Sequence, residues 1–221
     1  MGNEISIENK IFGKTFFWMF LGLLGSGIIA WYTYSSGLFI DIVREGYFDI
    51  LLVVELVAVV IFSLLFKKLP PVGVGILYFV YAMLNGVTLS VVFAVFDLSS
   101  IVILFIVAAL AFAALAIVGY KTDKDLSSFG TYITVFLIAG IVISLLNLLI
   151  FKSSMLDLVL DWAILALFCG VTIYDINKIK SFQTASDISD DKLHIYFAMD
   201  LYLDFINIFL RILSLFGKKK N

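Results

Sequence analysis

The stretch HIYFAMDLYLDFINIFLRILSLF, residues 194–216, is long enough to cross a bilayer as a helix. It nevertheless carries four strongly polar side chains, Asp200, Asp204, Asn207 and Arg211. At ~100° per residue these four fall within an arc of ~60° on one helix face. Charges inside a membrane cost at least ~2 kcal/mol each and usually face a bundle interior or a water-filled path. We therefore expect this helix to lie at the centre of a helical bundle and to carry the functional side chains of the protein.

The composition of the rest of the chain is that of an integral membrane protein. Of its 221 residues, 62% are hydrophobic and 14% are charged, and the mean hydropathy is +1.11. A soluble domain is nearer half apolar and one quarter charged. The apolar runs are continuous over roughly 20 residues, which is typical of membrane-spanning helices and not of alternating barrel strands.

Seven such runs follow one another with short, charged connections. They lie at about 15–34, 50–66, 71–96, 99–120, 127–151, 155–177 and 195–216. The predicted fold class is therefore an all-α membrane protein with seven transmembrane helices, in which the C-terminal helix is surrounded by the other six. Because no apolar run is left over, we expect a single integral membrane domain over residues 1–221.

The lysines predict the orientation, since cytoplasmic loops carry an excess of basic residues. With the N-terminus inside, the inner segments hold nine lysines, and the outer loops hold only Arg44 and Lys152. The nine are Lys10, Lys14, Lys67, Lys68, Lys121, Lys124, Lys178, Lys180 and Lys192. A cytoplasmic N-terminus follows. Seven spans would then place the tail lysines of 218–220 outside, against this rule. Alternatively, the last helix re-enters the membrane and the tail stays inside. The lysine pattern leaves these two topologies open.

Composition also limits the classes of function. A net charge of −2 gives no electrostatic footprint for nucleic acid. One histidine, His194, and one cysteine, Cys169, exclude metal sites built from His/Cys clusters, and an intrachain disulfide is impossible. We expect no cofactor. Cation sites built from carboxylates remain open.

Asp175, near the end of the sixth run, and Asp204, in the seventh, are the main candidates for chemistry. The two helices are consecutive and antiparallel, and the polar connection from Lys178 to Lys192 joins them. Two carboxylates held close in a low dielectric cannot both ionise cheaply, so they would titrate as a unit, and they would offer oxygen ligands to Ca²⁺. A pH-sensitive cation gate follows from this arrangement. By depth, Asp200 is as close a counterpart of Asp175 as Asp204 is.

Structural alternatives stand beside this interpretation. Asp175 is explained equally well as a helix-end carboxylate paired with Lys178 or Lys180, and Asp204 as half of an ion pair that fixes helix register. The partner of Asp204 in that case would be Arg211 or a lysine of the pair Lys67-Lys68.

Other polar residues within the spans have simpler expected roles. Glu55, about one turn into the second run, is either an acid at the membrane interface or part of a cation path. Asp157 and Asp161 are expected in water at the outer interface. Asn85 and Asn147 are expected to make hydrogen bonds between helices.

Three motifs resemble the Bax-inhibitor family, the TMBIM or YccA/YetJ-like membrane proteins. They are YDINKIK at 174–180, DLYLDFIN at 200–207 and YAMLNGVTLS at 81–90. The chain also resembles this family in its length, in its seven apolar runs and in the C-terminal position of the first two motifs.

The resemblance implies a seven-helix bundle with the last helix at its centre, acting as a pH-sensitive calcium leak channel in a bacterial plasma (inner) membrane. Ca²⁺ and protons would be its partners. The family's paired aspartates map onto Asp175 and Asp204, which would also contact Ca²⁺. Its basic residue at the end of the second helix maps onto Lys67 or Lys68, and its acid in that helix maps onto Glu55. Asn207 and Arg211 would hold the last helix in place. Some family members associate with a membrane protease, and others suppress cell death.

Three other functions compete with the leak channel. A proton-coupled exchanger would use the same residues. A non-transporting interaction protein, regulating a membrane protease or a stress or cell-death response, would use its buried charges structurally. An intramembrane aspartyl protease would need small residues before its second aspartate, whereas LYLD at 201–204 is bulky, so we expect no enzyme.

Overall fold

The computed structural model describes residues 2–182 and 190–220, with side chains over residues 11–180 and 191–220. Its helices are α1 (Gly2–Ser35), α2 (Leu38–Arg44), α3 (Tyr47–Leu65), α4 (Pro71–Val95), α5 (Leu98–Lys121), α6 (Phe129–Leu146), α7 (Ser154–Phe182) and α8 (Asp190–Phe216). A π-helical turn, Asn147–Phe151, continues α6. The predicted all-α class is confirmed. Residues 183–189 of the predicted connection between the last two helices lie outside the described residues.

Within residues 2–182 and 190–220, six helices are long and apolar enough to cross a membrane, and they match the first six predicted runs. Their apolar segments are Ile11–Ser35, Tyr47–Leu65, Pro71–Val95, Leu98–Lys121, Phe129–Phe151 and Ser154–Lys180. The chain is therefore an integral membrane protein. The seventh run does form a helix, but α8 is not among these six.

The helix ends follow local chemistry. Pro71 begins α4 at the position where a missing N–H costs nothing. Between the first two spans, where a loop is predicted, the seven-residue helix α2 is set off by Gly37 and Gly46. Both glycines have positive φ, 83° and 74°, which residues with a Cβ adopt at a cost. Hydropathy does not predict this short helix, because seven residues carry too little periodic signal.

The described chain falls into two compact units, and α8 contributes to both. The first unit contains α1–α4, α8 as far as Tyr202, and the tail from Lys219. The second contains α5–α7 and α8 from Leu203 to Lys218. Fifteen side chains of α8 are buried among those described, an unusual number for a helix with its polar content. The expected single domain stays a prediction.

In the first unit α1 and α4 run parallel and in close contact. The Tyr78 hydroxyl donates to the Trp18 carbonyl at 2.9 Å, and the Ser26 hydroxyl oxygen lies 2.8 Å from the Ala82 carbonyl oxygen. A Cβ at Gly86 would lie 2.7 Å from the Ser26 carbonyl oxygen, so glycine is required for this approach. His194 lies beside Trp18 with ring centroids 6.4 Å apart, and Tyr202 lies 2.6 Å from Ser26, eight residues further along each helix. The start of α8 is therefore parallel to α1 and α4.

In the second unit α5 and α7 are parallel and equally close. A Cβ at Gly119 would lie 2.7 Å from the Ile173 carbonyl oxygen. The Asn177 amide donates to the Thr122 carbonyl at 2.8 Å. Beyond it, the Lys180 ammonium lies 2.9 Å from the Asp123 carboxylate. These contacts fix the end of α7 that carries Asp175.

Candidate functional site

Asp175 and Asp204 are both buried, with exposed fractions of 7% and 2%, and both belong to the second unit. Asp175 lies seven residues, or ~10 Å, before the end of α7, and Asp204 lies fourteen residues, or ~21 Å, after the start of α8. Carboxylates that are removed from water in this way need nearby positive charge, hydrogen-bond donors or a proton. The Lys178 ammonium lies 3.7 Å from the Asp175 carboxylate, one turn along the same helix. The ion pair with Lys178 weighed from the sequence is therefore present.

Two contacts between α7 and α8 bracket the part of α8 that lies level with Asp175. The Trp162 ring contacts that of Phe216, and thirteen residues separate Trp162 from Asp175. Counting thirteen residues back from Phe216 along the antiparallel helix reaches residue 203, next to Asp204. Counting fourteen residues back from Arg211, the partner of Asp161, reaches residue 197, about two turns before Asp204. The pairing of the two aspartates stays a prediction. Asp200 is half-buried and belongs to the first unit.

The expectation that Asp161 lies in interfacial water is wrong. It is only 8% exposed, and its carboxylate lies 2.6 Å from the Arg211 guanidinium. The Ser214 hydroxyl donates to the other carboxylate oxygen at 2.5 Å. Arg211 therefore pairs with Asp161 across α7 and α8, and this contact supports its expected role in holding the last helix. Asn207 donates to the Leu203 carbonyl of its own helix at 2.8 Å.

Asp157, by contrast, is exposed as expected. The buried Asn147 amide donates to its carboxylate at 2.5 Å and to the Ser153 carbonyl at 3.0 Å. These bonds join the π-helical end of α6 to the start of α7. The hydrogen-bonding role predicted for Asn147 is confirmed.

Glu55 anchors a second polar cluster, in the first unit. It lies eight residues into α3, two turns and not one, and it is half-buried. The Thr88 hydroxyl donates to one carboxylate oxygen at 2.6 Å and the Asn85 amide to the other at 3.3 Å. The bonds of Glu55 explain how an acid is accommodated on an apolar helix, and they confirm the interhelical role of Asn85.

The Glu55 cluster continues through α8 to α1. The Tyr202 hydroxyl donates to the Asn85 side-chain oxygen at 2.8 Å and lies 2.6 Å from the Ser26 hydroxyl. Tyr202 and Ser26 are 0% and 1% exposed. Four helices thus meet in one hydrogen-bonded chain, which we call the Glu55 network: Ser26, Glu55, Asn85, Thr88 and Tyr202.

The two lysines expected to engage the aspartates lie at the end of α3, and both are exposed. The Lys67 ammonium stands 6.0 Å from the Phe66 ring centroid, and the Lys67 carbonyl accepts a hydrogen bond from Lys192. Within the second unit, the cation beside Asp175 is Lys178. Among the described residues no group of three or more His, Cys, Asp or Glu side chains is placed to hold a metal ion.

Replacing Tyr202 by phenylalanine should destabilise the protein by ~0.5–2 kcal/mol. The hydroxyl that joins Asn85 to Ser26 would be lost, and the Asn85 oxygen would be left without this donor in a region remote from water. The unfolding midpoint of purified protein in detergent, followed by circular dichroism, measures the loss. Tyr132→Phe, at a tyrosine that is 64% exposed, is the matched control. Equal midpoints for the two variants would refute a stabilising role of the network.

Sequence reasoning missed Thr88 and Tyr202, and it missed the burial of Asp161. The signal for Asp161 was present: a lone arginine in an apolar helix requires a partner at equal depth, and the antiparallel preceding helix supplies one. Tyr202 and Thr88 gave no comparable signal, because tyrosine and threonine are common on any membrane helix.

Comparison with known proteins agrees with the three motifs. The family described as "Inhibitor of apoptosis-promoting Bax1" matches residues 8–221. The inner membrane protein YbhL of Escherichia coli K12 is 34% identical over 92% of this chain and 89% of its own length. An uncharacterized protein of Borreliella burgdorferi is 32% identical over 99% of this chain and 96% of its own, and one of Rickettsia prowazekii is 32% identical over 94% and 89%. The resemblance inferred from the sequence is confirmed, and the chain belongs to the Bax inhibitor family.

Proposed function

We propose that this protein is a pH-sensitive leak channel for calcium, gated by the Asp175–Asp204 pair. The observation that carries the proposal is the burial of both carboxylates in one compact unit, on two consecutive helices that are in contact. Protonated, the pair shares a proton and holds α7 and α8 together. Ionised, the carboxylates repel one another, and the helices separate.

In this proposal α8 is the seventh span and the other six helices surround it. Its 27 residues reach ~40 Å, which exceeds the hydrocarbon core of a bilayer. Its burial and its polar arc both suit a helix shielded from lipid. The N-terminus is cytoplasmic because of the lysine distribution, and the membrane is a bacterial inner membrane, as it is for the relative YbhL by its name.

Calcium is the cargo because carboxylate oxygens are its preferred ligands. Two aspartates supply far fewer than the six to eight oxygens of a storage site, so Asp175 and Asp204 would contact passing ions while water completes the coordination shell. Glu55, held by Thr88 and Asn85, is a second acid beside a path along α3 and α4. The protein acts without a cofactor and is not an enzyme: its aspartates carry protons and break no bond of a substrate.

A second candidate is a non-transporting interaction protein that regulates a membrane protease or a stress response. Two ion pairs favour this candidate, Asp161 with Arg211 and Asp175 with Lys178. They give the buried charges a stabilising role that needs no ion path. On this alternative the buried acids fix helix register and do not respond to pH.

Reconstitution separates the two candidates. Purified protein in liposomes that contain a calcium-sensitive dye should pass Ca²⁺ from outside at a rate that rises with pH. Protein-free liposomes control for bilayer leakage. Dissipating any proton gradient with a protonophore should leave the rate intact for a leak and abolish it for an exchanger. Absence of flux at every pH, together with co-purification of a stable protein partner, would establish the interaction protein instead.

A further inference from the structure

An apolar groove of about 750 Å³ runs beside α4 within the first unit. Its walls come from three parallel helices: Trp18 of α1, Gly75, Phe79 and Met83 of α4, and Asp191 and His194 of α8. Its volume falls within the range of small-molecule sites in proteins. We call it the α4 groove.

The shape of the α4 groove fits one extended hydrocarbon chain. From Pro71 to Met83 it follows twelve residues of α4, a length of ~18 Å. Val72, Ile76 and Val80 line it at intervals of four residues and are 74%, 59% and 58% exposed. Because α4 is a membrane span, this exposed stripe faces lipid and not water. An acyl chain is therefore the occupant that the surroundings supply.

The polar groups of the α4 groove lie at one end, where α4 and α8 begin. The Lys14 ammonium lies 3.2 Å from the Asp191 carboxylate, and both side chains are accessible, at 42% and 67%. Asp191 lines the groove itself, and Lys14 lies one turn before Trp18 on α1. The apolar groove thus ends at an accessible cation and an accessible anion. A lipid headgroup that carries both a phosphate and an ammonium is complementary to this pair of charges.

We propose that the α4 groove binds a zwitterionic phospholipid with a primary ammonium headgroup, phosphatidylethanolamine. Its ammonium binds the Asp191 carboxylate, its phosphate binds Lys14, and one acyl chain lies along Gly75, Phe79 and Met83. The lipid spans α1, α4 and α8 and so ties the start of the last helix to the first unit. This inference is independent of ion transport.

Tryptophan fluorescence tests the proposal, because one of the three tryptophans lines the α4 groove. The full-length protein with Trp31→Phe and Trp162→Phe retains only Trp18. The variant with Trp18→Phe and Trp31→Phe retains only Trp162, which is 51% exposed and reports the surrounding bilayer. Both are placed in phosphatidylglycerol nanodiscs with increasing phosphatidylethanolamine brominated in the upper part of its acyl chains, a contact quencher.

Half-quenching of Trp18 should need about fivefold less brominated phosphatidylethanolamine than that of Trp162. Asp191→Lys should abolish the difference. Asp123→Lys, which breaks the exposed pair with Lys180 in the second unit, should preserve it. Brominated phosphatidylglycerol in an unlabelled phosphatidylethanolamine background should quench Trp18 less than Trp162, because unlabelled phosphatidylethanolamine occupies the groove.

Three results would overturn the assignment. Equal half-quenching of Trp18 and Trp162 would mean that the groove holds ordinary boundary lipid. Preference of Trp18 for brominated phosphatidylglycerol would mean that Lys14 selects an anionic lipid. A preference for phosphatidylethanolamine that survives Asp191→Lys would remove the headgroup contact on which the proposal depends.

Discussion

Asp204→Asn is expected to make calcium flux through the reconstituted protein low and independent of pH. Asparagine keeps the size of the side chain and a permanent hydrogen-bond donor, so it imitates the protonated pair at every pH. One titrating step changes the open population by at most about tenfold per pH unit, and in the variant this dependence should vanish. Initial rates in dye-loaded liposomes over a pH series measure the effect.

Asp175→Asn should behave in the same way, and the double variant should add nothing, since the pair titrates as one unit. Asp123→Asn is the matched control, because that carboxylate is 92% exposed and outside the pair. Asp200→Asn addresses the competing assignment. If it removed the pH dependence while Asp204→Asn left it intact, Asp200 would replace Asp204 as the gating residue.

The same assay identifies the cation that acts on the pair. Lys178 lies 3.7 Å from Asp175, so Lys178→Met should move the flux transition to higher pH by removing a charge that favours the ionised carboxylate. Lys67→Met and Lys68→Met serve as comparisons at the exposed end of α3. A shift produced by Lys67 or Lys68 alone would restore the assignment carried over from the family.

Local sequence was sufficient to predict the six apolar helices, because a backbone in hydrocarbon must satisfy its hydrogen bonds within the segment. Uninterrupted runs of ~20 apolar residues leave no other solution. The same reasoning failed for α2, whose seven residues are defined by two glycines at positive φ and not by hydropathy.

The candidate site was only partly predictable, because its residues are brought together by helix register. Asp175 and Asp204 stood out as acids in apolar runs, and their burial agrees with that reading. Glu55 was misplaced by one turn. Its partner Thr88 lies 33 positions further along the chain, and Tyr202, which bonds to Asn85, lies 147 positions further. No periodicity within one helix encodes which face of the next helix it meets, so the Glu55 network required the structure.

Removing Arg211 should produce the largest loss of stability of any substitution considered. Arg211→Gln leaves the Asp161 carboxylate buried with the Ser214 hydroxyl as its remaining described hydrogen-bond donor. Breaking a buried ion pair by removing one partner costs about 3–5 kcal/mol, because the other charge stays out of water. The free energy of unfolding, from denaturant titration of purified protein in detergent micelles, should fall by this amount. Asp161→Asn should cost a similar amount through the unpaired arginine.

The double variant, Asp161→Asn with Arg211→Gln, separates the pair from general damage to packing. A neutral amide on each side removes both charges and can form a hydrogen bond, so the combined loss should be clearly smaller than the sum of the two single losses. Lys180→Gln at the exposed Asp123 pair should cost no more than ~1 kcal/mol. Additive losses, or single losses no larger than that of Lys180→Gln, would contradict a structural ion pair. Strong coupling would instead identify Asp161–Arg211 as the contact that fixes α8 against α7.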